Sequence, residues 1–281
     1  MMLYPITFLS VITASTVLDN SKTVKKTSTS LEATDVHHPL PESRNYQLSA
    51  EERLHDHLVD QRLDGVAHAI HEFEKYSQKH GLGLTVGEQK GGILESLIEE
   101  VLKTLDLHEP MNVLEMGSHI GDGSLRILNK IKSRPNSNLV AIEPDHHWHT
   151  IGPKIVRYAV RSDPSVPNSI YHPFSYPHDL FDFADTLAQN HGIKKIHVVF
   201  MDQGDHTSFK DDIEALIKAG SLAPGAKIIT DNAHTKKTEK SDYFKFVDES
   251  GHFTSSETHP ITHPYKDAIH VATFKKTRDE L

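Results

Sequence analysis

Apolar residues recur with a helical period in two stretches of the first half of the chain. Over 64–79 the residues Val66, Ala69, Ile70, Phe73 and Tyr76 lie three or four positions apart, and Gly81 follows shortly after. The spacing predicts an amphipathic helix that ends near this glycine. A second helix is predicted over the next apolar stripe, which consists of Ile93, Leu94, Leu97, Ile98, Val101 and Leu102.

Beyond residue 111 the pattern changes to short apolar runs that alternate with helical stretches. The runs predict strands over 112–116, 139–143, 169–174, 196–201 and 227–230, with helices over 124–131, 179–189 and 209–219. Continuous apolar strands separated by helices indicate a parallel sheet covered on both faces, which is an α/β fold. The tail predicts a helix over 241–247 and two strands over 253–258 and 269–274, joined in a hairpin-like way through Pro260 and Pro264.

The two ends of the chain carry features of targeting signals. Residues 3–17 are apolar and uncharged, which predicts a signal peptide or signal anchor over 1–18. A linker rich in Ser, Thr, Lys and Pro is predicted over 19–50 and a folded domain over 51–277. The tail over 278–281, Arg-Asp-Glu-Leu, is a variant of the endoplasmic-reticulum retention signal Lys-Asp-Glu-Leu. We expect the protein in the endoplasmic reticulum lumen or the secretory pathway, with membrane association only through the N-terminal segment; the alternative is the cytoplasm.

Composition removes several classes of function. The formal net charge is -9, so no positive surplus is present to bind a nucleic-acid backbone. The chain has 0 Cys, which excludes disulfides, thiolate metal sites and a cysteine nucleophile. We therefore expect no nucleic-acid partner. We also expect a monomer that acts on a small molecule.

A glycine-rich loop follows the strand predicted over 112–116. Glu115 precedes Gly117, and Gly121 follows before the next predicted helix. Glycines at such a turn let the backbone approach a ligand closely, and the next strand ends in Glu143, where an acid can accept hydrogen bonds from ribose hydroxyls. The spacing differs from the dinucleotide pattern Gly-x-Gly-x-x-Gly and indicates a nucleoside site of the S-adenosylmethionine type. The alternative is an ordinary turn with a strand-end acid.

Oxygen-bearing side chains follow the last two predicted parallel strands. Asp202 comes after the strand over 196–201, and Asp231 and Asn232 come after the strand over 227–230. Because the carboxyl ends of parallel strands meet in one crevice, these groups can share a hard divalent cation, and Mg²⁺ is the ion we expect. The alternative reading makes the acids helix caps.

With these residues in view, the chain resembles the catechol O-methyltransferase family from about residue 64 to residue 275. Five blocks carry the resemblance in order: 86–91 (Val-Gly-Glu-Gln-Lys-Gly), 114–121, 141–143, 200–202 and 230–232. The resemblance implies a seven-stranded, mostly parallel class I methyltransferase sheet, S-adenosylmethionine, Mg²⁺, and a catechol or related diol as acceptor. It implies Asp202, Asp231 and Asn232 as metal ligands. The implied cofactor-binding residues are Val86, Glu115, Gly117, His119, Gly121, Glu143, His178, Asp202 and Gln203.

The chain departs from the family's sequence pattern directly after Asp202, the first of the implied metal ligands. The lysine that removes the catechol proton is missing, and His206 or Asp205 is expected to take that role. Gln203 replaces a histidine that stacks on adenine, and His119 replaces a tyrosine of the cofactor loop. Three alternatives stay open: a catalytically impaired S-adenosylmethionine-binding protein, an O-methyltransferase with a non-catechol acceptor, and, by analogy of fold only, a nucleotide-dependent oxidoreductase.

Overall fold

The computed structural model describes residues 48–83, 85–177, 179–204, 209–233, 242–262 and 266–275. These residues belong to one compact unit, residues 47–281. The predicted leader over 1–18, most of the linker and the tail over 278–281 lie outside the described residues, so the domain boundaries stay predictions. Within the described ranges no helix is long and apolar enough to cross a membrane.

Seven strands form one sheet in the order β3-β2-β1-β4-β5-β7-β6. Strands β1 to β5 run parallel, and β7 pairs antiparallel with both β5 and β6. The mostly parallel α/β sheet expected from the apolar runs is confirmed. The strands are β1 (Asn112–Met116), β2 (Asn138–Glu143), β3 (Tyr171–Ser175), β4 (Ile196–Met201), β5 (Leu222–Thr230), β6 (Phe253–Ile261) and β7 (Asp267–Phe274).

Helices cover both faces of the sheet, because successive strand residues point to opposite sides. Val113 packs in a hydrophobic cluster with α1 to α5, whereas its neighbour Leu114 packs in a second cluster with α6 to α8. This arrangement leaves the carboxyl ends of the central strands open between the two layers. The helices are α1 (Ala50–Asp60), α2 (Val66–His80), α3 (Gly87–Thr104), α4 (Asp122–Ile131), α5 (His146–Ser162), α6 (Leu180–His191), α7 (Phe209–Lys218) and α8 (Asp242–Glu249).

Two helices were not among the predicted elements. Helix α1 begins at a capping box in which Ser49 and Glu52 exchange hydrogen bonds. Helix α5 contains Pro153, which removes one backbone donor from a helix interior and therefore argues against a helix in the sequence. Strand β5 is also longer than predicted, because the pattern over 222–230 is interrupted by a proline and a glycine.

Candidate functional site

The loop between β1 and α4, residues 117–121, is the centre of the candidate site; we call it the cofactor loop. The backbone N–H groups of Gly117 and Ser118 both donate to the Ile142 carbonyl, at 2.8 and 3.1 Å, which ties the loop to β2. Gly117 has φ +91°, and a Cβ added there would lie 2.6 Å from the Asp202 backbone. The loop therefore passes against the end of β4 at a distance that only glycine permits.

Helix α5 packs on the other side of the cofactor loop. A Cβ on Gly152 would lie 2.3 Å from the His119 carbonyl oxygen. The rings of His119 and Trp148 meet edge to face with centroids 4.5 Å apart. The sequence signals for this missed helix are its cap, Asp145, which accepts hydrogen bonds from two backbone N–H groups, and its apolar stripe. The helix thus fixes the position of His119 in the loop.

Glu143 joins the end of β2 to the cofactor loop. Its Oε2 accepts the His119 N–H at 2.6 Å, and its Oε1 accepts the Asp145 N–H at 2.8 Å. Burial raises the pKa of this carboxyl above its usual value, although the two backbone donors act in the opposite direction. A carboxylate offers about four acceptor positions, so Glu143 can hold the loop and still accept hydrogen bonds from a diol such as a ribose.

Glu115 lies buried beneath the cofactor loop. Ser124 donates its hydroxyl hydrogen to the Glu115 carboxyl, and a Cβ on Gly123 would lie 2.3 Å from Glu115 Oε1. Burial raises the pKa of Glu115 to about 8, and the negative charges of Asp122 and Glu143 add to the effect. The Glu115 carboxyl is therefore mostly protonated at neutral pH.

These residues surround a small cleft at the carboxyl ends of β1 and β4. Asp122 was not among the predicted site residues; its Oδ2 accepts the Gly87 N–H at 3.1 Å, which connects α4 with the start of α3. An acid in the first turn of the helix after the loop was the available sequence signal. The cleft is lined by Val86, Glu115, Gly117, Ser118, His119, Ile120, Asp122, Gly123 and Asp202.

Gln203 follows Asp202 and is buried, with its side chain held from α7. Its Nε2 donates to Asp212 Oδ2 at 2.7 Å, and the Tyr176 hydroxyl donates to the other oxygen of Asp212 at 2.5 Å. Tyr176 and Asp212 were not predicted to belong to the site, and their positions follow from packing between β3, β4 and α7. The hydrogen bonds fix the orientation of the Gln203 amide at the edge of the sheet.

Asp202, Asp231 and Asn232 meet at the ends of β4 and β5. Burial, and then the charge of the adjacent Asp231 carboxyl, raise the pKa of Asp202 well above its usual value. Lys90 of α3 lies between the acids: its Nζ is 2.7 Å from Asp231 Oδ1 and 2.6 Å from Asp267 Oδ2. The same ammonium donates to Asn232 Oδ1 at 3.2 Å. Lys90 belongs to the 86–91 block of the resemblance, but its contacts with Asp231, Asn232 and Asp267 were not predicted, because the sequence does not show which partners a lysine side chain reaches.

The donor set at this point fits a hard cation. Two carboxyls and an amide oxygen are the ligand types that Mg²⁺ prefers, and the Lys90 ammonium contacts two carboxyl groups, those of Asp231 and Asp267. After burial, which is the largest cause, the Asp231 carboxyl raises the pKa of Asp202 and the Lys90 ammonium lowers it. Among the described residues no group of three or more His, Cys, Asp or Glu side chains is arranged to hold a metal ion; the third oxygen of this donor set is the amide oxygen of Asn232.

The structure brings most of the predicted site residues together at one edge of the sheet. His178, Asp205 and His206 lie outside the described ranges, and their roles stay predictions. Val86 caps the start of α3 and lines the same cleft as the cofactor loop. Gly121 adopts φ +95° at the start of α4, where a Cβ would lie 2.5 Å from Val156.

No protein-family model matches the chain. The chain is 23% identical over 187 residues to catechol O-methyltransferase B from Danio rerio, which covers 66% of this chain and 63% of that protein. The chain thus matches less than two thirds of the length of this curated relative.

Solved structures share the architecture at lower identity. The O-methyltransferase from Bacillus cereus in complex with SAH superposes with a TM-score of 0.57 at 15% identity, covering 74% of this chain and 90% of that one. TomG from Streptomyces achromogenes in complex with SAM gives 0.56 at 17% identity, with 74% and 90% covered. The chain therefore has the class I methyltransferase fold and a sequence similar to that of a catechol O-methyltransferase.

Proposed function

We propose that the protein is an S-adenosylmethionine-dependent O-methyltransferase that transfers a methyl group to one hydroxyl of a catechol or related diol held with Mg²⁺. The observation that carries the proposal is the contact between the cofactor loop and Asp202, at Gly117. A nucleoside bound at this loop and a cation held by Asp202 would then lie side by side. A methyl donor in the loop and a chelated diol would then be neighbours.

The cofactor half of the site fits S-adenosylmethionine. Glycines at 117, 121 and 123 let the loop pack directly on Asp202, Val156 and Glu115, where a Cβ would collide, and Glu143 presents acceptor positions for the ribose. The similarity to catechol O-methyltransferase B supports the reaction type. SAH and SAM in the Bacillus cereus and TomG structures support the choice of cofactor.

Asp202, Asp231 and Asn232 are the residues that would hold Mg²⁺. The ion would orient a diol and lower the pKa of its hydroxyl. The chain itself has to align the methyl donor with the acceptor hydroxyl, because methyl transfer is an in-line displacement. The acceptor oxygen bonds to the methyl carbon as the carbon–sulfur bond breaks. The sulfur leaves as S-adenosylhomocysteine, and the acceptor proton passes to a base, which we assign to His206, with Asp205 as the alternative.

A methylation assay tests the function. Purified protein is incubated with S-adenosylmethionine, Mg²⁺ and a panel of catechols, other phenols and small diols, and products are identified by mass spectrometry. We expect a methylated catechol or diol in the presence of Mg²⁺ and loss of product with a chelator. Asp231→Ala should abolish the product, whereas Asp185→Ala, which removes an exposed acid of α6, should not.

Three outcomes would redirect the proposal. Full activity with a chelator would remove Mg²⁺ from it, and methylation of phenols that lack a second hydroxyl would remove the diol. Binding of S-adenosylhomocysteine without methylation of any acceptor would favour the catalytically impaired alternative.

We also propose that the protein resides in the secretory pathway, on the strength of the apolar segment over 3–17 and the C-terminal Arg278-Asp279-Glu280-Leu281. Immunofluorescence of the full chain against the same chain without its last four residues tests this. Retention in the endoplasmic reticulum should be lost in the shortened chain. A diffuse cytoplasmic signal for the full chain would favour the alternative.

A further inference from the structure

Lys90 is a partly buried charge that the proposed reaction leaves without a role. Its side chain is only 15% exposed, and it reaches from α3 across to the ends of β5 and β7. The Nζ atom contacts Asp231 and Asp267 and donates to Asn232. An ammonium has three hydrogens to donate, so these three oxygens account for all of its donors.

Two of those three oxygens belong to the residues proposed as Mg²⁺ ligands. A metal ion would bind Oδ1 of Asp231 and Oδ1 of Asn232 at about 2.1 Å. The ammonium cannot keep its present contacts with these oxygens at the same time, because the two cations would repel each other at short range in a buried site. The metal ion and the Lys90 ammonium therefore compete for the same two oxygen atoms.

Asp267 differs from the other two partners. It begins β7, it is not among the proposed ligands, and its Oδ2 lies 2.6 Å from Lys90 Nζ. The ammonium can keep this ion pair when it releases Asp231 and Asn232. The lysine thus has an anchor in both situations and does not have to become a buried charge without a partner, which would be costly.

We propose that Lys90 is a built-in counter-cation of the metal site. In the metal-free protein it holds Oδ1 of Asp231 and Oδ1 of Asn232, and it gives up these two oxygens to a divalent cation while it keeps its ion pair with Asp267. The inference rests on the proposed Mg²⁺ site. Lys90 then stabilises the metal-free protein and lowers the affinity for Mg²⁺. A lysine that served only to position the metal ligands would raise that affinity instead.

The test compares wild type with Lys90→Met, which keeps most of the length of the side chain without its charge, and with Lys90→Arg, which keeps the charge. MgCl₂ is titrated by calorimetry, and thermal unfolding is followed with EDTA and with Mg²⁺. Lys90→Met should bind Mg²⁺ roughly tenfold more tightly or better, should melt at a lower temperature than wild type in EDTA, and should recover most of this loss in Mg²⁺. Lys90→Arg should bind Mg²⁺ no more tightly than wild type.

An unchanged or weaker Mg²⁺ affinity in Lys90→Met, with wild type binding Mg²⁺, overturns the role of Lys90 and leaves the metal site intact. If neither protein binds Mg²⁺, the metal site itself is wrong and this inference falls with it. Should Lys90→Met not fold without metal, Lys90→Gln is measured in its place. Its amide can still donate to a carboxylate, and the same rise in affinity is expected.

Discussion

Replacing Glu115 by glutamine should remove a pH dependence from the free energy of unfolding. The pKa of this buried carboxyl rises from 4.5 to about 8 in the folded protein. Between these two values the unfolded chain has lost the Glu115 proton and the folded protein still holds it. The folded state therefore binds more protons, so its stability falls as the pH rises through this window.

The size of the effect follows from the two pKa values. A full pKa unit of difference corresponds to about 1.4 kcal/mol, so Glu115 lowers the free energy of unfolding by about 2.5 kcal/mol on going from about pH 5 to about pH 7. The Glu115→Gln side chain has nearly the same shape, accepts the Ser124 hydrogen bond and does not titrate. The difference in stability between variant and wild type should therefore shift by this amount in favour of the variant.

Urea unfolding at several pH values measures this difference. The fluorescence of Trp148, the one tryptophan of the chain, reports unfolding because its ring packs against His119. Comparing variant with wild type at each pH cancels the contributions of the other titrating groups, and Glu100→Gln, which removes an exposed carboxyl of α3, controls for the change in net charge. A difference that stays constant between about pH 5 and about pH 7 would show that Glu115 is ionised in the folded protein, and the argument from burial would be wrong.

Three further changes test the rest of the site. Glu143→Ala should weaken S-adenosylhomocysteine binding by about ten- to a hundredfold in calorimetry, because a charge-assisted contact is lost; unchanged binding would contradict the ribose assignment. Gly152→Ala puts a Cβ 2.3 Å from a cofactor-loop carbonyl oxygen and should lower the free energy of unfolding by about 1–3 kcal/mol. The control Gly92→Ala, whose Cβ would have no atom within 4 Å, should not lower it. Thermal unfolding measures both variants. His206→Ala should lower turnover by roughly 10²–10⁴, and the decline of the wild-type rate below about pH 7 should be absent from this variant. Asp205→Ala should lower turnover less. Wild-type turnover in His206→Ala would exclude His206 as the base.

The sequence alone is sufficient for the central sheet. Strands β1 and β4 were predicted at the residues where they occur, because strands buried on both faces of a parallel sheet are continuous apolar runs. The meeting of Asp202 with Asp231 follows from the same topology, since parallel strands end at one edge. Helix α2 and its stop at Gly81, which has φ +66°, follow from the apolar period and from the tolerance of glycine for that conformation.

Tertiary contacts decide the remaining features. Helix α5 contains Pro153 and begins with a polar, histidine-rich turn, so its cap and its apolar stripe were not enough to predict it. Packing against the sheet and the cofactor loop stabilises it. The contact of Lys90 with Asn232 joins residues 142 positions apart, so it becomes visible only when α3 lies across the ends of β5 and β7. The protonation of Glu115 also depends on burial. A carboxyl next to a glycine loop looks the same in the sequence whether it is charged or neutral, because the pKa is set by the surroundings that the fold builds around it.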